Sequence, residues 1–429
     1  MTAIRRSTIC LLTVAIWADG ATAQETFDFD VGQYQKTPFE WNGYLELRPE
    51  RAWLDEDAAL AQIQFSGGAV PATRDRVNGA LELSGLYRHG IATAQATLHS
   101  SGSTGDGETS GETRLYEGFV TLQPDSGTRL EAGKRALRWG KGYAFNPLGF
   151  VERPKDPNDP DLSREGFVML GANLVKSFDG PLSTLSFTPL LVPTTGGLND
   201  DFGESGHLNP AAKLSMLYRD TDIDLLVLGE GARSLRYGAS FSRNLAPNVE
   251  IHGEWARITD QARLVLDDGG QRIEEGDIDR YLVGLRYLTE RETTWIAEYY
   301  HDGGGYRETE TRDLFRSVHD AHQRPPASGQ AAPAVAPVAA LARPNPMRDY
   351  LYLRVSQKEP FDILYLTPSI TLIQNLDDAS RSISPELTYT GIDNLELRLR
   401  AFVLSGDRLS EFGEKPNQRR VELRARYYW

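Results

Sequence analysis

Arg135, Arg138, Trp139, Lys141 and Tyr143 lie close together in the sequence, and Phe145, Arg153 and Arg164 follow them. Guanidinium and ammonium groups interleaved with aromatic rings suit recognition of a hydrophilic solute. The cations would grip a carboxylate or phosphate, and Trp139, Tyr143 and Phe145 would offer ring faces to a sugar or an aromatic solute. Glycines at 140 and 142 and prolines at 147, 154, 157 and 160 give the segment tight turns and stiffness. Asp156, Asp159 and Asp161 have a spacing that could bring oxygens to calcium. The segment lacks the Gly and Glu positions of an EF-hand, and acids beside prolines more often cap turns, so the metal reading is weak. A second set of cations, Arg398, Arg400, Arg424 and Arg426, alternates along two segments near the end of the chain.

Catalysis is poorly supported. His89, His99, His207, His252, His301, His319 and His322 are scattered, and no Gly-x-Ser-x-Gly elbow occurs. A hydrolase would need Ser, His and an acid in register near one rim, whereas a lone inward histidine such as His252 is more often a wall residue. No enzyme and no cofactor is expected.

The elements that must position these residues are strands. In Val421–Trp429, Val421, Leu423, Ala425, Tyr427 and Trp429 share one face, and Glu422, Arg424, Arg426 and Tyr428 share the other. Strict period-two alternation marks a strand. About eighteen such segments recur, from 42–48 through 128–138 and 394–403 to 420–429. Their connections alternate between short links, such as 88–90 and 391–393, and longer ones, such as 49–78, 100–112, 139–165, 258–279 and 302–347. This asymmetry, with one apolar and one polar strand face, predicts an all-β fold: a closed antiparallel transmembrane β-barrel with short periplasmic turns and long external loops. Closure is required because an open edge would leave backbone groups unpaired in hydrocarbon.

At the start of the chain, Arg5 and Arg6 precede an apolar run from Ile9 to Trp17 and a small-residue site at Ala21–Ala23. This pattern predicts a cleaved signal peptide over 1–23. Residues 24–41 then form a periplasmic N-terminal segment, and 42–429 the barrel. The single cysteine, Cys10, falls in the signal, so disulfides and a cysteine nucleophile are excluded afterwards. Loss of two arginines and one aspartate takes the formal charge from −14 to −15. Such acidity argues against nucleic acid as a partner.

A barrel of this size leaves an aqueous lumen. The faces assigned inward carry Arg48, Arg88, Arg129, Arg135, Lys213, Arg219, Arg236, Arg280, Arg286 and Arg354 besides the four arginines above. Inward acids are somewhat fewer, so anionic solutes would be favoured. The competing reading, slightly preferred, pairs these charges with one another as struts of the wall. Segment 312–322 reads as a short helix with Leu314, Phe315 and Val318 on one side, and Pro325–Pro346 as a flexible Pro/Ala stretch.

Together the signal, the strand count, the long loop after the fifth strand and the terminal aromatic resemble Gram-negative outer-membrane channels of the porin or alginate-export kind. The resemblance implies location in the outer membrane, contact with its lipid, and passive passage of small hydrophilic, anionic or saccharide solutes, or export of a polymer. It further implies a homotrimer or a periplasmic export partner, and a loop 139–165 that folds inward as a constriction. The candidate pore residues are Arg135, Arg138, Trp139, Lys141, Tyr143, Arg153, Arg164, Arg398, Arg400, Arg424 and Arg426. The alternatives are a barrel hydrolase and a structural or surface-binding barrel with a blocked lumen.

Overall fold

The computed structural model describes residues 37–65, 68–160, 162, 164–267, 270–323 and 344–429. The signal segment, Asp161 and most of the Pro/Ala stretch lie outside them. The described fold is one unit, Pro38–Trp429.

Its strands are β1 (Phe39–Leu54), β2 (Thr73–His89), β3 (Ala92–Gly105), β4 (Glu108–Leu122), β5 (Thr128–Arg135), β6 (Phe167–Ser177), β7 (Leu182–Thr194), β8 (His207–Tyr218), β9 (Thr221–Leu228), β10 (Arg236–Ala246), β11 (Val249–Asp267), β12 (Gly270–Leu288), β13 (Thr293–Asp302), β14 (Asp349–Gln357), β15 (Leu366–Asn375), β16 (Arg381–Ile392), β17 (Leu395–Ser405) and β18 (Asn417–Tyr428). All form a single 18-stranded sheet, each strand antiparallel to its neighbours in sequence. β1 also pairs with β18, from Tyr44↔Tyr428 to Leu54↔Asn417, and this closes the sheet into a barrel.

The register places alternate residues in lipid. Leu45, Leu47, Leu98, Leu170, Val283, Leu285, Leu423 and Tyr427 are large, apolar and exposed. Such a continuous apolar exterior makes sense only against hydrocarbon. Residues of the opposite strand parity, including Glu46, His252, Glu254, Glu298, Glu422 and Arg424, are buried inside. Aromatic side chains ring the short-turn end, among them Phe39, Trp41, Tyr87, Tyr287, Trp295 and Tyr389, all exposed. Trp41 and Trp429 meet across the closing pair, with centroids 6.4 Å apart. No described helix is long and apolar enough to cross a membrane.

Several expected boundaries move. The barrel begins at Phe39, so residues 39–41 belong to the first strand rather than to a preceding tail. The expected loops 100–112 and 258–279 are mostly strand, because β3–β4 and β11–β12 continue their pairing beyond the membrane before turning. Cross-strand hydroxyl pairs, such as Ser100 with Thr113 at 2.8 Å, line the first of these hairpins. β5 stops at Arg135 instead of 138. Arg219, expected on the inner wall, sits in the β8–β9 turn at φ 46°.

Two helices decorate the long-loop end: α1 (Ala59–Gln64) and α2 (Glu308–Gln323). As the sequence spacing predicts, Leu314, Phe315 and Val318 of α2 are buried together. They pack with Ala59 of α1 and Leu409 of the β17–β18 loop. The buried Glu414 carboxylate ties the three pieces: it accepts the amides of Ala59 at 2.6 Å and Leu409 at 2.8 Å, and lies 3.1 Å from His319 Nε2.

Candidate functional site

The segment between β5 and β6, residues 136–166, turns into the barrel and runs along the inner wall. Two buried wall carboxylates hold its backbone. Glu254 of β11 accepts the amides of Lys141, Gly142 (2.7 Å) and Leu148 (3.2 Å). Glu298 of β13 accepts those of Tyr143 (2.5 Å) and Ala144 (2.9 Å), and is itself 2.9 Å from His252 Nε2. A hydrogen bond of this kind contributes about 0.5–1.5 kcal/mol net, and leaving its buried amide unpaired costs about 1–3 kcal/mol. Glycine is needed here for clearance. A Cβ on Gly140 would stand 2.8 Å from Glu254 Oε1, and one on Gly142 would stand 2.4 Å from the Phe145 carbonyl oxygen.

Apolar packing completes the attachment. Trp139, Leu148, Phe150 and Val151 are buried with Phe167, Met169, Leu190, Val192, Leu226 and Leu228 of the wall. Phe145 stacks on Tyr300 at 4.5 Å and touches Tyr350 and Tyr352. Trp139 and Phe145 are each only 4 % exposed. The ring faces expected to stack on a solute are therefore spent on the wall, a correction to the reading of these two residues. Tyr143 is half-buried. Its hydroxyl donates to Glu250 at 3.0 Å, and burial followed by that carboxylate pushes its pKa up to about 12.

The far part of the segment reaches the second set of cations. Asp159 lies 3.3 Å from Arg424, 3.8 Å from Arg400 and 3.9 Å from Arg398, and the Asn158 carbonyl accepts from Arg400 at 3.2 Å. Behind them Glu386 contacts Arg354, Arg398 and Arg400, and Glu46 holds Arg426 at 2.6 Å. The structure thus brings Arg398, Arg400, Arg424 and Arg426 into one network, and that network is paired.

The other expected residues scatter. Arg135 pairs with Glu131, and Lys141 with Asp224 at 3.1 Å. Arg153 pairs with Glu165 and Asp201, and Arg164 with Glu152 at 3.3 Å. Arg138 is exposed at the base of the segment. Burial alone would raise the Glu165 carboxyl, but Lys134, Arg153 and Arg114 hold it below the ordinary value. The calcium reading gains no support among the described residues. Asp156 accepts the Asn158 amide at 2.9 Å, Asp159 faces arginines, and Asp161 lies outside the described residues. Among the described residues no cluster of three metal-ligating side chains forms.

Open space remains beside the segment, toward β1–β4. A cavity of about 470 Å³ is lined there by Tyr44, Arg48, Asn78, His99, Tyr116 and Arg426, among others, with Leu162 from the segment. His99 stacks on Tyr116 at 4.3 Å. A further 300 Å³ lies between the segment and the short-turn end, lined by Arg129, Glu131, Arg135 and Lys213. Tyr44, Asn78 and Tyr116 were not singled out from sequence, and His99 was named only among the scattered histidines. The only sign available was their parity on strands already assigned.

The arrangement of a closed, lipid-facing barrel with an inserted loop after its fifth strand defines the class: a porin-like transmembrane β-barrel fold. Among solved structures the chain is similar to Pseudomonas aeruginosa OccK5 (OpdH), at 14% identity and a TM-score of 0.50, covering 91% of this chain and 98% of that one. It also aligns with a mutant of Rh. blastica porin (10% identity, TM-score 0.46, 91% and 100% covered) and with Salmonella typhi OmpF in complex with daunomycin (10%, 0.46, 91% and 97%). No protein-family model and no curated protein matches the chain.

Proposed function

We propose that the protein is an outer-membrane channel through which small hydrophilic solutes, anionic or saccharide, pass by diffusion, with residues 136–166 as its constriction. One observation carries this reading. The inserted segment is bonded to β11 and β13 on one side and meets β17–β18 through Asp159, so it spans the lumen and leaves the route beside β1–β4. Arg48 and Arg426 line that route together with Glu46 and Glu112, Arg426 being paired with Glu46, and the Tyr116 and His99 rings add aromatic surface. A narrowed lumen suits single small solutes better than an extended polymer.

Conductance of the purified protein in planar bilayers tests the proposal, with reversal potential in a salt gradient to report selectivity. Discrete conductance that rises when the inserted segment is shortened is expected. A barrel that passes no ions before or after such shortening would instead be a sealed structural or surface-binding one.

A further inference from the structure

On the long-loop side of the inserted segment lies a separate cavity of about 360 Å³. Its ionic lining consists of four cations, Lys155, Arg233, Arg236 and Arg280, and two acids, Glu152 and Asp302. Both acids are already engaged. Glu152 accepts the Trp139 amide and pairs with Arg164 at 3.3 Å. Asp302 receives Arg280 Nε at 2.8 Å and the Gly304 amide at 2.9 Å.

Two of the cations are equally fixed. Lys155 Nζ donates to the Gly142 carbonyl at 2.5 Å. Arg233 donates to the carbonyls of Phe202 and, at 2.9 Å, Phe150, and its guanidinium lies 3.9 Å from the Phe202 ring centroid. Burial draws its pKa down to about 10.

Arg236 is different. It opens β10 and shares the cavity lining with Arg233 and Arg280. Its buried Nε has no hydrogen-bond partner, and no ion pair for it appears among the described residues. A guanidinium so placed is costly unless an anion answers it. In the arginine network at β17–β18 the Nε atoms of Arg398 and Arg424 also lack a hydrogen bond, but there Asp159, Glu386, Glu396 and Glu46 answer the charge.

We infer that this cavity is a binding site for a small, multiply charged oxyanion, held by the fork of Arg236 with the surrounding positive charge of Arg233, Arg280 and Lys155. Planar oxyanions match guanidinium in a two-pronged geometry. The volume stands near the small end of ligand pockets and fits a phosphate or a short dicarboxylate rather than a polymer. Binding itself does not depend on the channel reading. Only the consequence does: an anion gathered here sits just outside the constriction, where a transient site raises the local concentration of the solute about to pass.

The test is calorimetric titration of the full-length, detergent-solubilised barrel with inorganic phosphate and, separately, with succinate, against a chloride background. Folding of each variant is checked by the heat-dependent gel shift of an intact barrel. Saturable binding of at least one anion is expected, and which one binds distinguishes a phosphate from a carboxylate source. Arg236→Gln should weaken it about tenfold, as loss of a charge-assisted bond does. Arg236→Lys, which keeps the charge but not the fork, should fall between. Arg312→Gln on the exposed face of α2 should leave it unchanged. No saturable binding to the wild-type protein, or equal affinity in wild type and in whichever Arg236 variant folds, overturns the inference. Conductance without anion binding would remove the pocket and leave the channel. Binding by a protein that conducts nothing would remove the channel and leave the pocket.

Discussion

Asp159 is the residue on which the electrostatics of the site turn. It is a single carboxylate facing three arginines, on a segment that crosses the lumen. Asp159→Asn removes its charge while keeping its shape, so Arg398, Arg400 and Arg424 gain net positive potential. The reversal potential in a salt gradient should then shift toward anion selectivity, most clearly at low ionic strength, where screening is weakest. An unchanged potential would place these arginines off the ion path. Arg400→Ala should act chiefly on stability. It leaves Glu386 and Glu422, each 4 % exposed in their side chains, with fewer partners. Breaking a buried pair costs about 3–5 kcal/mol, to be read as a lower unfolding midpoint in urea.

At the scale of elements, the inserted segment is held by the carboxylates of Glu254 and Glu298 and by an apolar seam. Replacing both acids with leucine strands five amides that now have carboxyl oxygens as acceptors. The segment should detach first at residues 141–144. Trypsin cleavage after Lys155 should appear, and conductance should increase. If the double variant stays protease-resistant and conducts as before, the apolar seam alone suffices to hold the segment.

The loops at the long-loop end respond to pH. Asp378 accepts the Ser380 amide at 2.9 Å and the Glu411 amide at 2.6 Å, and Asp377 accepts the amides of Arg348 and Asp349 at 3.0 Å. Burial raises both carboxyls above the ordinary value. The folded loops therefore bind protons more tightly than the unfolded ones over the range from the ordinary carboxylate pKa upward. Stability there rises as pH falls. Hydrogen exchange of 376–380 and 406–416, corrected for the intrinsic rate, should slow on moving from neutral pH to about pH 5.

For the whole molecule, side-chain parity decides what is tolerated. Leu423 faces outward and its neighbour Arg424 faces inward. Leu423→Arg puts a guanidinium into hydrocarbon and should cost about 2–4 kcal/mol if it sits near the midplane, measurable as a drop in urea stability in lipid vesicles. Equal stability of Leu423→Arg and the wild type would mean that this face does not meet lipid. The closing pair adds a long-range constraint: Glu46 and Arg426 are 380 residues apart in sequence yet bonded at 2.6 Å.

The period-two pattern by itself determined the strands, their number, which face meets lipid and which end carries long loops. Each follows from a local requirement: every strand must hide its backbone and show apolar side chains to the bilayer, and that requirement is written residue by residue. The α2 core of Leu314, Phe315 and Val318 was legible for the same reason. Tertiary structure alone decided which inward charges meet. Asp159 reaches Arg424 across 265 residues, and Glu254 takes amides more than 100 residues away, because ring closure and the path of one inserted loop set those distances. It also decided that Trp139 and Phe145 serve packing, and that Arg236, unremarkable among many arginines in the sequence, faces a cavity with its buried Nε unpartnered.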